Sequence, residues 1–202
     1  MPVPPTIGSP LTTMIAILIT AAIIVLILIW AALTYNRLVS MRLRCKSSWA
    51  QIDVALRQRH DLIPALTGAV SGYAGHERRT LEEVAEARSA AIALSDAGPA
   101  RRGGSEGRLG GGLAQTMLLV EDYPELRASE RFEALQRDLA AVEERISITR
   151  RVYNDTVERY NTATAVFPSV LVARLLRFAP REFFEAPSGV EIAPKISLPT
   201  GA

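Results

Sequence analysis

The pattern of hydrophobic and polar positions changes sharply along this chain, and it begins with an uninterrupted apolar run. From Met14 to Leu33 the only polar side chain is Thr20. A helix of that length, at 1.5 Å rise per residue, spans a hydrocarbon core about 30 Å thick. The run therefore predicts a transmembrane helix over residues 13–34. We expect a short extracytoplasmic tail, residues 1–12, before it, and its four prolines favour an extended conformation.

A cleaved signal peptide is the alternative interpretation of the apolar run. However, no Lys or Arg precedes the run, it is longer than an ordinary signal h-region, and no convincing small-x-small cleavage site follows it. Four basic residues follow instead: Arg37, Arg42, Arg44 and Lys46. Basic residues close to a membrane end are retained in the cytoplasm, so we expect the N-terminus outside and the rest of the chain inside. The same side chains are candidates for contact with lipid headgroups.

Beyond the membrane, the apolar positions recur with helical periodicity. Residues 34–63 contain no Gly or Pro, and one face of the predicted helix carries Cys45, Trp49, Ile52, Leu56 and Ile63. Pro64 cannot donate a backbone hydrogen bond, so we expect the helix to kink or end just before it, with a further helical stretch towards Tyr73. A second helix is predicted over residues 77–94, which are rich in Glu, Ala, Arg and Leu.

Residues 95–112 differ in composition, since Gly, Pro, Ser, Ala and Arg dominate there. Few apolar side chains are available to bury, so the entropy lost by ordering this backbone would not be compensated. We expect a flexible loop, followed by a short helix from Leu113 to Asp122. The glycines do not form a phosphate-binding loop, because no Gly-Lys-Ser or Gly-Lys-Thr sequence opens the next helix.

The second half of the chain holds the longest periodic stripe. It begins after Ser129, which is suited to an N-cap, and its apolar side chains repeat in heptads, as in a coiled coil. The members are Phe132, Leu135, Leu139, Val142, Ile146, Tyr153, Val157 and Tyr160. A further amphipathic helix is expected between Pro168 and Pro180. The predicted fold is all-α, with one N-terminal transmembrane helix continuing into a cytoplasmic antiparallel helical bundle over residues 35–185 and a disordered tail over 186–202.

Composition narrows the classes of function. A formal net charge of +2 provides no concentrated basic surface of the kind that nucleic-acid binding needs. The single cysteine, Cys45, has basic neighbours that could lower its pKa, but its place on the apolar stripe favours a buried, inert thiol. Neither histidine follows a Glu at the spacing that di-iron bundles use. We therefore predict no metal, no cofactor, no small-molecule substrate and no nucleic-acid partner.

A pair of Tyr-Asn units forms the first candidate site. Tyr153 and Tyr160 are seven residues apart, as are Asn154 and Asn161, so each pair lies along one helix face. The spacing fits a tyrosine-lined core with asparagines at its border. It also fits a groove for a partner helix, which would require exposed side chains.

A charged group on the first bundle helix is the second candidate. Asp53 and Arg57 have the i,i+4 spacing of a surface ion pair, and Asp61 lies close by. Arg59 falls on the apolar stripe, so we expect a partly buried guanidinium paired with a carboxylate of another helix. A catalytic role would instead require Asp53, Arg59 and Glu144 to meet in a wet pocket.

Several motifs resemble the LemA family of bacterial proteins. In the first half they are YNRLV at 35–39, IDVALRQRHDLIPAL at 52–66, GYAGHE at 72–77 and EARSAA at 86–91. In the second half they are FEALQRDLAAVEERISITRRVYNDTVERYNTATAVFPS at 132–169 and FAPREFFE at 178–185. Two features depart from the family pattern: Ala65 stands where Asn is usual, and the Gly-rich stretch 98–112 is looser than is typical.

The resemblance implies a bacterial inner-membrane protein, anchored with its N-terminus outside, that carries a cytoplasmic helical bundle and has no established enzymatic activity. Relatives include a magnetosome protein involved in forming intracellular membrane vesicles. Two functions then fit. The first is a membrane-tethered scaffold that contacts membrane lipid and associates with its own copies or with another membrane protein. The second is an adaptor in membrane-protein quality control or envelope stress, which binds a protease or sensor through the Tyr-Asn face.

Overall fold

Helices make up nearly all of the part of the chain that the structure, a computed structural model, describes: residues 10–72 and 78–184. In chain order they are α1 (Pro10–Ser71), α2 (Arg78–Ala93), α3 (Pro99–Val120), α4 (Pro124–Arg127), α5 (Glu130–Ala165) and α6 (Ser169–Leu175). No strand occurs within those two ranges, which confirms the predicted all-α fold. Most of the predicted outer tail, Tyr73 and the predicted tail over 186–202 lie outside the described residues.

α1 carries the apolar run and continues as a bundle helix without a non-helical residue between the two. Its most apolar 18-residue window has a mean hydropathy of 3.0, and none of that window is buried by the rest of the described chain. The core helix of a soluble protein would be covered by its neighbours, whereas an uncovered apolar helix of this length is long and apolar enough to cross a membrane. The predicted transmembrane helix therefore has structural support.

α1 passes through Pro64 and ends at Ser71, so of the two outcomes expected at this proline, a kink or an end, the helix does not end there, and the helical stretch expected beyond it is present. A proline leaves the carbonyl four residues before it without a helical donor. That carbonyl belongs to His60, and Arg88 of α2 donates to it from Nε at 2.8 Å. A hydrogen bond from a neighbouring helix thus replaces the missing one, and α1 continues.

The prediction of a flexible loop over 95–112 is also wrong, because α3 begins at Pro99 and includes the short helix expected after the loop. One face of α3 is buried through residues that recur every three or four positions: Arg102, Ser105, Glu106, Leu109, Leu113, Thr116 and Val120. The first half of this face is polar, so a count of apolar side chains overlooks it. Gly112 lets α2 approach closely, since a Cβ there would lie 3.1 Å from Cγ2 of Val84.

Packing divides the chain into two units. Unit 1 comprises Met1–Arg44 and Arg159–Pro180, and unit 2 comprises Cys45–Glu158 and Arg181–Ala202. The predicted single domain over 35–185 is therefore divided, because residues 35–44 and 159–180 group with the apolar helix.

Unit 2 contains the main core. Within it α1 and α5 are antiparallel, since Cys45 contacts Thr156 while Arg59 contacts Glu143. α2 and α3 form a second antiparallel pair across the turn at residues 94–98. The buried apolar side chains of this core, to which α4 adds Leu126, are Ile63, Leu66, Val70, Leu81, Val84, Ala91, Leu109, Leu113, Val120, Leu126, Phe132 and Leu139.

Candidate functional site

A buried charge cluster joins three helices of unit 2 around Arg59. This arginine lies on α1 and is 3% exposed. Its Nη1 donates to both carboxylate oxygens of Glu143 on α5, at 3.1 and 3.3 Å. Its Nη2 donates to the carboxylate of Glu106 on α3 and, at 3.1 Å, to the backbone carbonyl of the same residue. The expected buried guanidinium is thus present, and two helices supply carboxylates to it.

Glu106 receives charge and hydrogen bonds from two neighbours. Nε2 of His60 lies 3.1 and 3.2 Å from its two carboxylate oxygens, and Nη2 of Arg59 also contacts the carboxylate. Burial by itself would raise the pKa of this carboxyl, but the hydrogen bonds from His60 and Arg59 and their charges outweigh burial, and its pKa is lowered. The carboxylate is therefore ionised at neutral pH. The charges of Glu106 and Arg59 are both removed from water, so the fold tolerates each of them only in the presence of the other.

A second buried arginine, Arg102 of α3, pairs with α1 at another point. It is 2% exposed, and its Nη2 lies 2.6 Å from Oδ1 of Asp53. Its Nη1 donates to the carbonyl of Ser95 at 3.0 Å, and its guanidinium carbon lies 5.5 Å from the ring centroid of Trp49. Asp53 also pairs with Arg57 one turn away at 2.5 Å, as its spacing predicted. Asp53 therefore joins α1 to α3 as well as forming a surface pair.

A cleft of about 700 Å³ lies between α1, α2 and the start of α3. Asp61 and Lys46 are exposed on its wall, together with Asp96, so the wall carries charges of both signs. Within the described ranges, no group of three or more His, Cys, Asp and Glu side chains could hold a metal ion. Glu144 is exposed on α5 and Arg59 is buried, so the wet pocket that catalysis would require is not formed by these side chains.

The segment 178–184, here called the closing segment, contacts both Tyr-Asn units, and the first unit binds the part of it that lies in unit 2. Tyr153 is 3% exposed, and its hydroxyl donates to the carbonyl of Glu182 at 2.9 Å. Asn154 exchanges two hydrogen bonds with the backbone of Phe184, at 3.1 and 3.0 Å. Trp49 packs against the rings of both Tyr153 and Phe184. Burial, assisted by nearby negative groups, raises the pKa of Tyr153 to about 12.

The second Tyr-Asn unit does the same in unit 1. Tyr160 is 1% exposed and donates to the carbonyl of Ala179 at 3.0 Å, while Asn161 is half-buried beside it. The docking-groove interpretation required exposed side chains, but both tyrosines are buried. The arrangement is that of a core border, in which the side chains satisfy the backbone of a segment that has no regular structure of its own.

The four basic residues after the apolar run are all exposed: Arg37, Arg42, Arg44 and Lys46. Cys45 lies between them in sequence but is 1% exposed, with its Sγ 3.6 Å from the carbonyl of Thr156. Burial raises the pKa of this thiol, although Arg181 opposes the effect. A thiol in this state is a poor nucleophile.

Sequence reasoning did not find Arg102, Glu106 or Glu143. Arg102 and Glu106 are in register with Leu109 and Leu113, at steps of three and four residues, so the periodicity of α3 extends backwards if charged residues are accepted on its buried face. The arginine on the apolar face of α1 indicated that a carboxylate was needed. Which carboxylate fills that role depends on how helices distant in sequence pack, and no local spacing shows it.

Comparisons with known proteins agree with the motifs. The sequence model of the LemA family matches residues 48–198. The chain is also 22% identical over 180 residues to Magnetosome protein MamQ of Magnetospirillum gryphiswaldense, in a match covering 77% of this chain and 66% of that protein. The chain thus spans just under two thirds of that relative's length. Because the family match takes in well over half of the chain, this protein belongs to the LemA family.

Proposed function

We propose that this protein is a non-enzymatic scaffold of the bacterial inner membrane. In this proposal α1 anchors the chain with its N-terminus outside, and the cytoplasmic bundle associates with further copies of itself or with another membrane protein. The composition of α1 carries the proposal, since its first part is apolar and uncovered while its later part supplies core residues to unit 2 without a break in the helix. Similarity to a magnetosome protein adds support for a membrane-associated role.

The buried charges support an architectural role rather than catalysis. Arg59 and Arg102 each bond carboxylates or carbonyls of another part of the bundle, so their hydrogen-bonding capacity is largely used within the fold. An active site normally keeps such groups available to a substrate in a cleft.

The topology can be tested by cysteine labelling in cells, in a Cys45→Ala background. Leu11→Cys precedes the apolar run, and Arg101→Cys lies exposed on α3. With a membrane-impermeant maleimide and a permeabilised outer membrane, the cysteine at 11 should react, and the one at 101 should react only after the inner membrane is opened. The reverse pattern would contradict the proposed orientation.

Self-association has a candidate surface on α5. Ile148 and Val152 are 52% and 47% exposed and one helical turn apart, so they form a small apolar face. A photocrosslinking residue at Ile148 of the full-length protein should capture a second copy in cells. The matched control is Arg108, which is exposed on α3 and has only glycine or serine at the positions three and four residues before and after it. Absence of a homodimer from Ile148, or equal yields from both positions, would count against self-association through this face.

The adaptor alternative requires a different surface from the one first considered. Tyr153 and Tyr160 reach a partner only if the closing segment detaches from them, because both donate their hydroxyls to its backbone. Capture of one dominant foreign protein, rather than a second copy, in the same crosslinking experiment would favour the adaptor over the scaffold.

A further inference from the structure

Unit 1 folds its later segment back onto the end of the apolar helix. Val172 and Ala173 of α6 are buried against Leu38 of α1, and the ring of Phe178 packs edge-on against Tyr35 with centroids 5.9 Å apart. Ser169 donates to the carbonyl of Ala163 at 2.7 Å, which fastens the turn before α6. One side of α6 is thus fixed to the helix that enters the membrane.

The other side of this segment is apolar and uncovered. Phe167, Leu171 and Leu175 recur every four residues and are 79%, 57% and 81% exposed, and their neighbours Val166 and Leu176 are about half exposed. Scattered exposed leucines are ordinary, but soluble proteins rarely expose large apolar side chains in one contiguous group. We therefore expect another molecule to cover these apolar side chains.

The position of the apolar group along α1 indicates that membrane lipid covers it. Phe167 and Pro168 line a cavity of about 210 Å³ together with Trp30, Thr34 and Arg37 of α1. Trp30 lies in the last turn of the apolar run, and Thr34 and Arg37 are the first polar and basic side chains beyond it. Phe167 is therefore level with the point where the transmembrane helix leaves the hydrocarbon, which is also where amphipathic segments lie in a bilayer.

The charge of unit 1 also indicates that membrane lipid covers this apolar group. Unit 1 contains six arginines and no Asp or Glu: Arg37, Arg42, Arg44, Arg159, Arg174 and Arg177. Its formal charge is +6, so the rest of the chain must be −4 for the whole to reach +2. Three of these arginines are distant in sequence from the apolar run and join it only through the fold. Such a concentration of positive charge next to a membrane span attracts anionic lipid headgroups.

The end of α6 has a feature that fits this role. Arg177 has φ 56°, in the left-handed region that favours glycine. The amide of Phe178 donates to the carbonyl of Ala173 at 2.9 Å and the amide of Arg177 to that of Arg174 at 3.3 Å, which is the pattern of a Schellman motif. Glycine is the usual residue at this position. The arginine accepts backbone strain there and supplies an exposed positive charge that glycine lacks.

We propose that residues 166–177 form a second membrane-contact surface beside the transmembrane helix. Phe167, Leu171 and Leu175 enter the boundary between headgroups and acyl chains of the leaflet at which α1 leaves the membrane, while Arg174 and Arg177 bind the phosphates of anionic phospholipids. This inference rests on the anchoring part of the proposed function and is independent of self-association.

Depth-dependent fluorescence quenching tests the proposal in the full-length protein. In a Cys45→Ala background, an environment-sensitive dye is attached to Leu175→Cys or, as a control, to Leu118→Cys, which is 65% exposed on α3 in unit 2. The protein is reconstituted in vesicles of phosphatidylcholine and phosphatidylglycerol that carry nitroxide-labelled lipids. The dye at 175 should emit at shorter wavelength and be quenched by the labelled lipids, and the dye at 118 should not. Equal quenching at the two positions would overturn the proposal.

A third labelled variant separates this inference from anchoring. Ile24→Cys reports on the transmembrane segment itself, which is fully apolar around that residue. Quenching at 24 without quenching at 175 would overturn the second contact surface and leave anchoring intact, whereas failure at both would remove anchoring as well. A blue shift at 175 that disappears when the protein is diluted among lipids would identify a second copy as the occupant and also overturn the proposal.

The role of charge is tested by Arg177→Gly. Glycine relieves the left-handed strain, so a loss of membrane contact in this variant cannot be attributed to unfolding. Quenching at 175 should fall in vesicles containing phosphatidylglycerol and stay unchanged in pure phosphatidylcholine. An identical response in the two lipids would show that the arginine does not bind anionic headgroups.

Discussion

Replacing Glu106 by glutamine should leave the guanidinium of Arg59 buried without its most deeply buried counter-charge. Breaking one side of a buried ion pair costs about 3–5 kcal/mol, because the remaining charge stays desolvated. Arg59 would retain Glu143, whose side chain is 41% exposed, so we expect a value near the lower limit, about 3 kcal/mol. For a protein of this size that corresponds to a fall in melting temperature of roughly 6–12 °C.

The assay is thermal unfolding of the full-length protein in detergent, followed by circular dichroism and, in a Trp30→Phe background, by the fluorescence of Trp49. The matched control is Glu143→Gln, which removes a carboxylate from the same guanidinium at a site that water can reach. Its cost should stay below about 1 kcal/mol, as for other partly exposed pairs. Equal melting temperatures for the two variants would refute the view that burial of Glu106 makes the pair necessary.

The same carboxylate makes unit 2 sensitive to acid. Its pKa is lower in the folded protein than in the unfolded chain, so protonation favours unfolding. The stability from this group is fully present above the ordinary carboxyl pKa and is lost as the pH falls through the lowered folded value. Glu106→Gln should therefore flatten the acid limb of the melting profile, and a variant that retains the wild-type acid limb would contradict this assignment.

Three further predictions concern other contacts. Burial raises the pKa of Tyr153 to about 12, so ionisation of its hydroxyl should destabilise the fold by roughly 2 kcal/mol as the pH rises from 10 to 12, and Tyr153→Phe should lack this alkaline loss in pH-dependent melting. Gly111→Ala should stabilise α3 by about 0.5–1 kcal/mol, because nothing lies within 4 Å of the added Cβ. Gly112→Ala should stabilise it less or destabilise it, because its added Cβ would meet Val84 of α2, and equal shifts in melting temperature would contradict this tight contact between α2 and α3. Arg88→Leu should cost about 1–3 kcal/mol in the native background and distinctly less with Pro64→Ala, because the alanine amide restores the helical bond; additive effects in a double-mutant cycle would refute that coupling.

The sequence was most informative where apolar side chains recur. The apolar run of α1 and the heptad stripe of α5 are set by local spacing, and both helices lie where they were predicted. The first half of α3 was missed because its buried face starts with Arg102 and Glu106, whose burial becomes favourable only when Asp53 and Arg59 of a distant helix face them. Likewise the expectation of a kink or an end at Pro64 took no account of an outside donor, Arg88, that reaches the free carbonyl.

The candidate site was predictable to a similar degree. The place of Arg59 on an apolar face predicted a buried ion pair, because burying a guanidinium without a partner is energetically unfavourable. The Tyr-Asn units were recognised as a core border or a groove, and the choice between them depended on Glu182 and Phe184, which return from a segment without periodicity. The concentration of positive charge in unit 1 was hidden because Arg159, Arg174 and Arg177 lie far along the chain from the apolar run.

The glycine-rich first half of α3 presents a smooth surface, and a smooth helix can slide along its neighbour by one turn with little change in apolar contact. Glu106 and Arg102 oppose such a slip, because a displacement of about 5 Å would move both charges away from Arg59 and Asp53 and leave the two buried ionic groups of α3 without these partners. The two ion pairs thus fix the register of α3 relative to α1. They select one alignment of α3 on α1 from several that the hydrophobic effect alone would leave nearly equal in free energy.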